Sequence, residues 1–145
     1  MRKQKIERDG IIYVPCFNGL AVKGIIRKDA QTYVKIPSSI DGITVVRISE
    51  NAFNNQNWIK ELYLPYTIEV IEDRAFYECK SLHHIIFDGS NVPAVSVGRA
   101  AFYNCSELVL HNDHFPTEDL LRLSKDILQA ARVRMYKTEY ISCPG

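Results

Sequence analysis

Ile48-Ser-Glu-Asn-Ala-Phe53 returns as Ile71-Glu-Asp-Arg-Ala-Phe76 and again as Val97-Gly-Arg-Ala-Ala-Phe102, each followed six positions later by Ile59, Leu82 or Leu108. The phenylalanines are spaced 23 and then 26 residues apart. Self-similarity at such a period marks a solenoid, in which each unit buries its apolar face only by stacking on the next. Measured from each Phe, apolar residues also recur at minus eight (Val45, Ile68, Ala94) and minus five (Ile48, Ile71, Val97). These phase-locked positions are the expected core.

After the plus-six residue, the pattern Ile59-x-x-Leu62-x-Leu64 and Leu82-x-x-Ile85-x-Phe87 alternates inward and outward as a short strand does. Its outward residues are Glu61 and Tyr63, then His84 and Ile86. Thr32 to Pro37 reads as an earlier strand, with Val34 and Ile36 inward and Tyr33 and Lys35 outward, followed by a turn over residues 38–42. Because stacked strands align, Lys35, Tyr63, Ile86 and Val109 are expected in one outward column, with Tyr33, Glu61 and His84 beside it.

Both ends depart from the repeat. Ile11 to Cys16 and Leu20 to Ile26 flank Asn18-Gly19, a pair suited to a type I′ turn, so residues 1–31 are expected to form a hairpin cap. Residues 32–112 carry the repeats, with an inserted loop over 89–94. From Thr117 the apolar spacing becomes helical, through Leu120, Leu123, Ile127 and Ala131, so residues 113–145 are expected to form a helical cap. Two atypical ends suggest a complete unit within one domain of 145 residues.

The repeats resemble the BspA-like leucine-rich repeats of bacteria and some protozoa. Ile36-Pro-Ser-Ser-Ile-Asp-Gly42, Leu62-Tyr-Leu-Pro65, Ile71-Glu-Asp-Arg-Ala-Phe-Tyr-Glu-Cys79-Lys-Ser-Leu82 and Val97-Gly-Arg-Ala-Ala-Phe-Tyr-Asn-Cys105-Ser-Glu-Leu108 carry the likeness. It implies a strand-rich α/β leucine-rich repeat solenoid of about three repeats. It also implies adhesion or other protein binding, with no shared active site and no cofactor.

Chemistry-bearing residues mostly fall in with the repeat. Cys79 and Cys105 both lie three after a Phe, where the first repeat has Gln56, and so read as buried filler rather than nucleophiles. With no nucleophile elbow, phosphate loop or paired-His motif in the sequence, the reading is non-enzymatic. His84, His111 and His114 offer the one alternative, a metal site or hydrolase at the last repeat. Lys and Arg total 18 against 17 Asp and Glu, a balance that argues against nucleic acid as a partner. The sequence contains no apolar run of membrane-spanning length and no secretion signal after Met1. The expectation is therefore a cytoplasmic module that binds another protein through Lys35, Glu61, Tyr63, His84 and Ile86, the alternative being a surface or secreted adhesin.

Overall fold

The computed structural model describes residues 4–88, 95–111 and 127. Eleven strands follow one another along the described chain: β1 (Ile6–Arg8), β2 (Ile11–Cys16), β3 (Gly19–Ile25), β4 (Tyr33–Lys35), β5 (Ser39–Ile40), β6 (Ile43–Ile48), β7 (Glu61–Pro65), β8 (Val70–Ile71), β9 (His84–Asp88), β10 (Ser96–Val97) and β11 (Val109–His111). They form a strand-rich solenoid of about three turns. Sheet A runs in the order β1-β2-β3-β6-β8-β10, with β5 attached to β6; sheet B runs β11-β9-β7-β4. Within the repeats both ladders are parallel, because each turn of the coil lays its strand beside the corresponding one of the turn before.

The third side of each coil has no strand, and it is held by the repeated Ala-Phe segment. Phe53, Phe76 and Phe102 are fully buried and stack face to face, with centroids 4.9 and 5.1 Å apart and planes within 8° and 5° of parallel. The backbone repeats as strictly as the rings. Phe53 N–H donates to Ala75 O and Phe76 N–H to Ala101 O, both at 2.7 Å. Two residues before and two after each Phe the chain takes a positive φ, at Asn51 and Asn55, Arg74 and Glu78, Ala100 and Asn104. These left-handed residues make the tight corners that a period of about 23 residues demands.

Inside lie the positions that share the repeat phase. Val45, Ile48, Ile59, Ile68, Ile71 and Leu82 are at most 1% exposed, and Leu108 is also buried. Val97 and Cys105 are only partly buried and pack against the edge of the cluster, which corrects the expectation that the phase of Cys105 buries it fully. Ile127 also belongs to the core. The 89–94 loop, Ala94 and the rest of the expected helical cap lie outside the described residues.

The amino-terminal unit differs from the sequence reading in its turns. β2 and β3 pair antiparallel with Cys16 opposite Gly19, so the two-residue turn is Phe17-Asn18 rather than Asn18-Gly19. Neither turn residue has the positive φ of a type I′ turn. Gly19 instead sits where a Cβ would collide with the Thr44 carbonyl of β6. Asp9 (φ 54°) and Gly10 (φ 84°) do form such a turn, and they fold β1 back onto β2. Asp41 and Gly42 do the same between β5 and β6, within the turn expected over residues 38–42. The hairpin then joins sheet A, with β3 running parallel to β6.

Candidate protein-binding face

Sheet B presents its outward side chains in two columns fixed by the parallel register. Tyr33, Glu61, His84 and Val109 are successive partners in one; Lys35, Tyr63, Ile86 and His111 are successive partners in the other. At about 4.8 Å per strand, four strands span about 14 Å. The five residues singled out in the sequence, Lys35, Glu61, Tyr63, His84 and Ile86, thus share one surface. Val109 is misplaced by one column. Leu108 is followed by a single residue before the inward Leu110, whereas Ile59 and Leu82 are each followed by two before Leu62 and Ile85, so the missing residue brings His111 beside Ile86.

The face is ordered by its own contacts. Tyr33 and Tyr63 meet edge to face, with centroids 6.3 Å apart and planes at 87°, the arrangement favoured by ring quadrupoles. The Tyr63 hydroxyl donates to Glu61 Oε1 at 3.3 Å, and the adjacent carboxylate raises the pKa of the phenol. Tyr63 and Ile86 are half-buried between their neighbours, while Tyr33 and Val109 are exposed. The outcome is an aromatic and aliphatic centre with Lys35 at one end and imidazoles at the other.

His84 Nδ1 and His111 Nε2 lie 2.8 Å apart, so one ring donates to the other. His83 packs edge-on against His84 and bonds through Nδ1 to the Glu107 carbonyl. His114 lies outside the described residues. Among the described residues no group of three or more His, Cys, Asp or Glu side chains is placed to hold a metal ion.

The family model for the BspA type leucine rich repeat region (6 copies) matches residues 26–121, well over half of the sequence. The chain belongs to this family. Solved leucine-rich repeat proteins share the coil. A leucine rich cell surface protein of Faecalibacterium prausnitzii superposes with a TM-score of 0.63 at 23% identity, over 74% of this chain and 30% of its own. A leucine-rich repeat protein of Bacteroides capillosus gives 0.57 at 19% identity, over 75% and 88%. One from Bacteroides ovatus gives 0.53 at 21%, over 69% and 33%. A stretch of 52 residues is 40% identical to part of the 4-hydroxy-3-methylbut-2-en-1-yl diphosphate synthase (flavodoxin) of Chlorobaculum tepidum, covering 36% of this chain but only 7% of that enzyme.

In this BspA-type coil the recurrent cysteine is a donor to the backbone of the preceding turn. Cys79 Sγ donates to Phe53 O at 3.0 Å and Cys105 Sγ to Phe76 O at 3.4 Å. Burial pushes the Cys79 thiol up to about 12 and that of Cys105 also well above its ordinary value. Such thiols are poor nucleophiles. Among the described residues no helix is long and apolar enough to cross a membrane.

A feature that the sequence did not announce adjoins the face at the amino-terminal end. A groove of about 680 Å³ opens between the hairpin and β4, and its lining includes Tyr33 and Lys35. Its far wall comes from β1 and β2, and β1 was missed because the expected hairpin began only at Ile11.

Proposed function

We propose that this chain is a non-enzymatic recognition module that binds a partner protein through the outward face of sheet B. The observation that carries the reading is the register of Tyr63 and Ile86 on adjacent strands, flanked by Tyr33, Lys35, Glu61 and His84. Aromatic and aliphatic residues ringed by polar groups supply the anchors on which protein interfaces depend. A parallel ladder holds them in place before contact, so association costs little ordering entropy. Occupying that face would let the module act as an adaptor, or as an inhibitor that covers a partner's working surface.

A cytoplasmic setting is part of the proposal. Cys79 and Cys105 act as hydrogen-bond donors only as thiols, which suits a reducing compartment. The helical cap expected at the carboxyl end covers the last turn in this reading, and the burial of Ile127 supports it. A second reading, a surface-borne recognition module, takes its support from the Faecalibacterium neighbour described as a cell surface protein. Fractionation of the native host separates the two.

The face itself is tested by replacing Tyr63 and Ile86 together with Asp. Both side chains point away from the core, so the variant should fold while losing the partner captured by the tagged wild-type chain. Undiminished capture of the same partner would remove the sheet B face from consideration.

A further inference from the structure

The amino-terminal hairpin joins only one of the two ladders. β3 pairs with β6 in sheet A, whereas sheet B ends at β4, whose outer edge has no strand beside it among the described residues. Which backbone groups lie on that edge follows from the alternation of a strand. Ile36 N–H donates to Tyr63 O at 3.0 Å, and Thr32 O accepts from Lys60 N–H at 2.7 Å. The even-numbered residues of this segment therefore face β7, and Tyr33 and Lys35 turn their N–H and C=O groups outward.

These outward groups are not equivalent. The Tyr33 carbonyl accepts from Gln31 Nε2 at 2.6 Å, and Gln31 is held in turn by the Lys28 N–H on its Oε1. The N–H and C=O of Lys35 have no partner among the described residues. The groove of about 680 Å³ borders this edge, within the range of about 300–1,000 Å³ that accommodates small ligands. Its lining also includes the apolar Ile11, Tyr13 and Ile40, all nearly buried.

We propose that the groove is a strand-addition site: an extended segment of a partner protein adds antiparallel to β4, exchanges two backbone hydrogen bonds with Lys35, and sets an apolar side chain against Ile11, Tyr13 and Ile40. An antiparallel pair lets a single residue take both Lys35 groups. A parallel strand would need the Tyr33 carbonyl together with the Lys35 N–H, and the Gln31 amide already holds the former. A second copy of this chain fits poorly. A symmetric pairing centred on Lys35 would place two lysines directly opposite each other, a like-charge pair that sheets avoid. Pro37 and the brevity of β4 likewise guard the edge against long self-pairing. A short extended segment of a partner protein meets neither objection, and it would bind by the mode in which main-chain bonds supply affinity and a pocket supplies specificity. This site adjoins the outward face at Tyr33 and Lys35 but uses the backbone of Lys35 rather than the side chains of Tyr63 and Ile86, so it does not depend on that reading.

The test is a selection of linear heptapeptides from a displayed random library against the full chain. Selected peptides should lose at least tenfold in affinity against Lys35→Pro, which removes one outward donor at an edge position where proline is tolerated. They should bind the Tyr63→Asp, Ile86→Asp variant as they bind wild type. Because Lys35→Pro could disturb folding, two measurements use the unmodified protein. N-methylation of the peptide amide opposite Lys35 should cost at least tenfold, and the Lys35 amide should exchange at least tenfold more slowly in the complex. Absence of any enriched peptide, or peptides indifferent to Lys35→Pro and to N-methylation, would overturn the proposal. Peptides lost only on the Tyr63→Asp, Ile86→Asp variant would assign binding to the outward face instead.

Discussion

The Cys79 thiol donates to the carbonyl of Phe53, one coil earlier, at 3.0 Å. The bond recurs one coil later between Cys105 and Phe76, so the cysteine ties each turn to its predecessor at the same point where the phenyl rings stack. It also explains the exception. Gln56 holds this position in the first turn, where no earlier phenylalanine carbonyl exists, and its Oε1 accepts from Trp58 Nε1 at 2.8 Å instead.

Alkaline pH should weaken the fold through this thiol. Its pKa rises from 9.0 to about 12 in the folded chain because burial disfavours the thiolate. Between those values the unfolded chain has lost a proton that the folded chain keeps, so stability is intact below about pH 9 and falls as pH approaches 12. Three pKa units correspond to about 4 kcal/mol as an upper figure. Tyr13, raised to about 12 by burial, acts in the same direction over a narrower window. Urea titrations at pH 7 and pH 10.5 should show the loss. Cys79→Ala should be about 1–2 kcal/mol less stable at pH 7 and lose less than wild type on going to pH 10.5.

Phe76 is the middle ring of three, with a neighbour at 4.9 Å on one side and 5.1 Å on the other. Phe76→Ala therefore opens a cavity between two coils and should cost about 3–5 kcal/mol in equilibrium unfolding. A loss below about 1 kcal/mol would mean that the stack contributes little to the cohesion of the coil.

Arg74 occupies a left-handed corner at φ 56°, where the first coil has Asn51 at φ 61°. Asparagine tolerates this region better than a long side chain, and among the described residues the Arg74 side chain contributes only an exposed ion pair to Glu50 at 3.5 Å, its backbone bonds being open to any residue. Such pairs are worth little. Arg74→Asn should raise stability by about 0.5–1 kcal/mol, which for a chain of this size is a few degrees in melting temperature.

The coil was legible in the sequence because its core positions are tied to a repeated Phe, and Val45, Ile48, Ile59, Ile71 and Leu82 all lie inside. The outward columns were legible up to the point where the third repeat drops one residue. A period-two reading has no tolerance for that deletion, so Val109 was assigned to the column that His111 occupies. The hairpin was found but its turn was misassigned, since Gly19 answers to the nearby Thr44 carbonyl rather than to turn geometry. Local propensity does not see a constraint imposed by a strand 25 residues away. The edge groove was invisible for the same reason, because the lining brings Tyr33 and Lys35 together with a strand that had not been recognised.

Gly98 tests how closely successive coils approach. The equivalent positions in the other turns are Ser49 and Glu72, so the repeat itself does not require glycine here. In this turn, however, Asp73 reaches across to accept from Arg99 N–H at 2.8 Å. A Cβ on Gly98 would collide with Asp73 Oδ1, and would lie 2.6 Å from Asp73 N and 2.8 Å from Glu72 C. A flexible side chain can yield, but a backbone already bonded through Gly98 N–H to Ile71 O at 2.8 Å cannot do so without shifting the coil. Gly98→Ala should therefore cost about 1–3 kcal/mol. Adding Asp73→Ala removes the carboxylate clash and leaves the backbone clash, so it should restore less than half of the loss in a double-mutant cycle. Full restoration would show that the side chain alone sets the spacing.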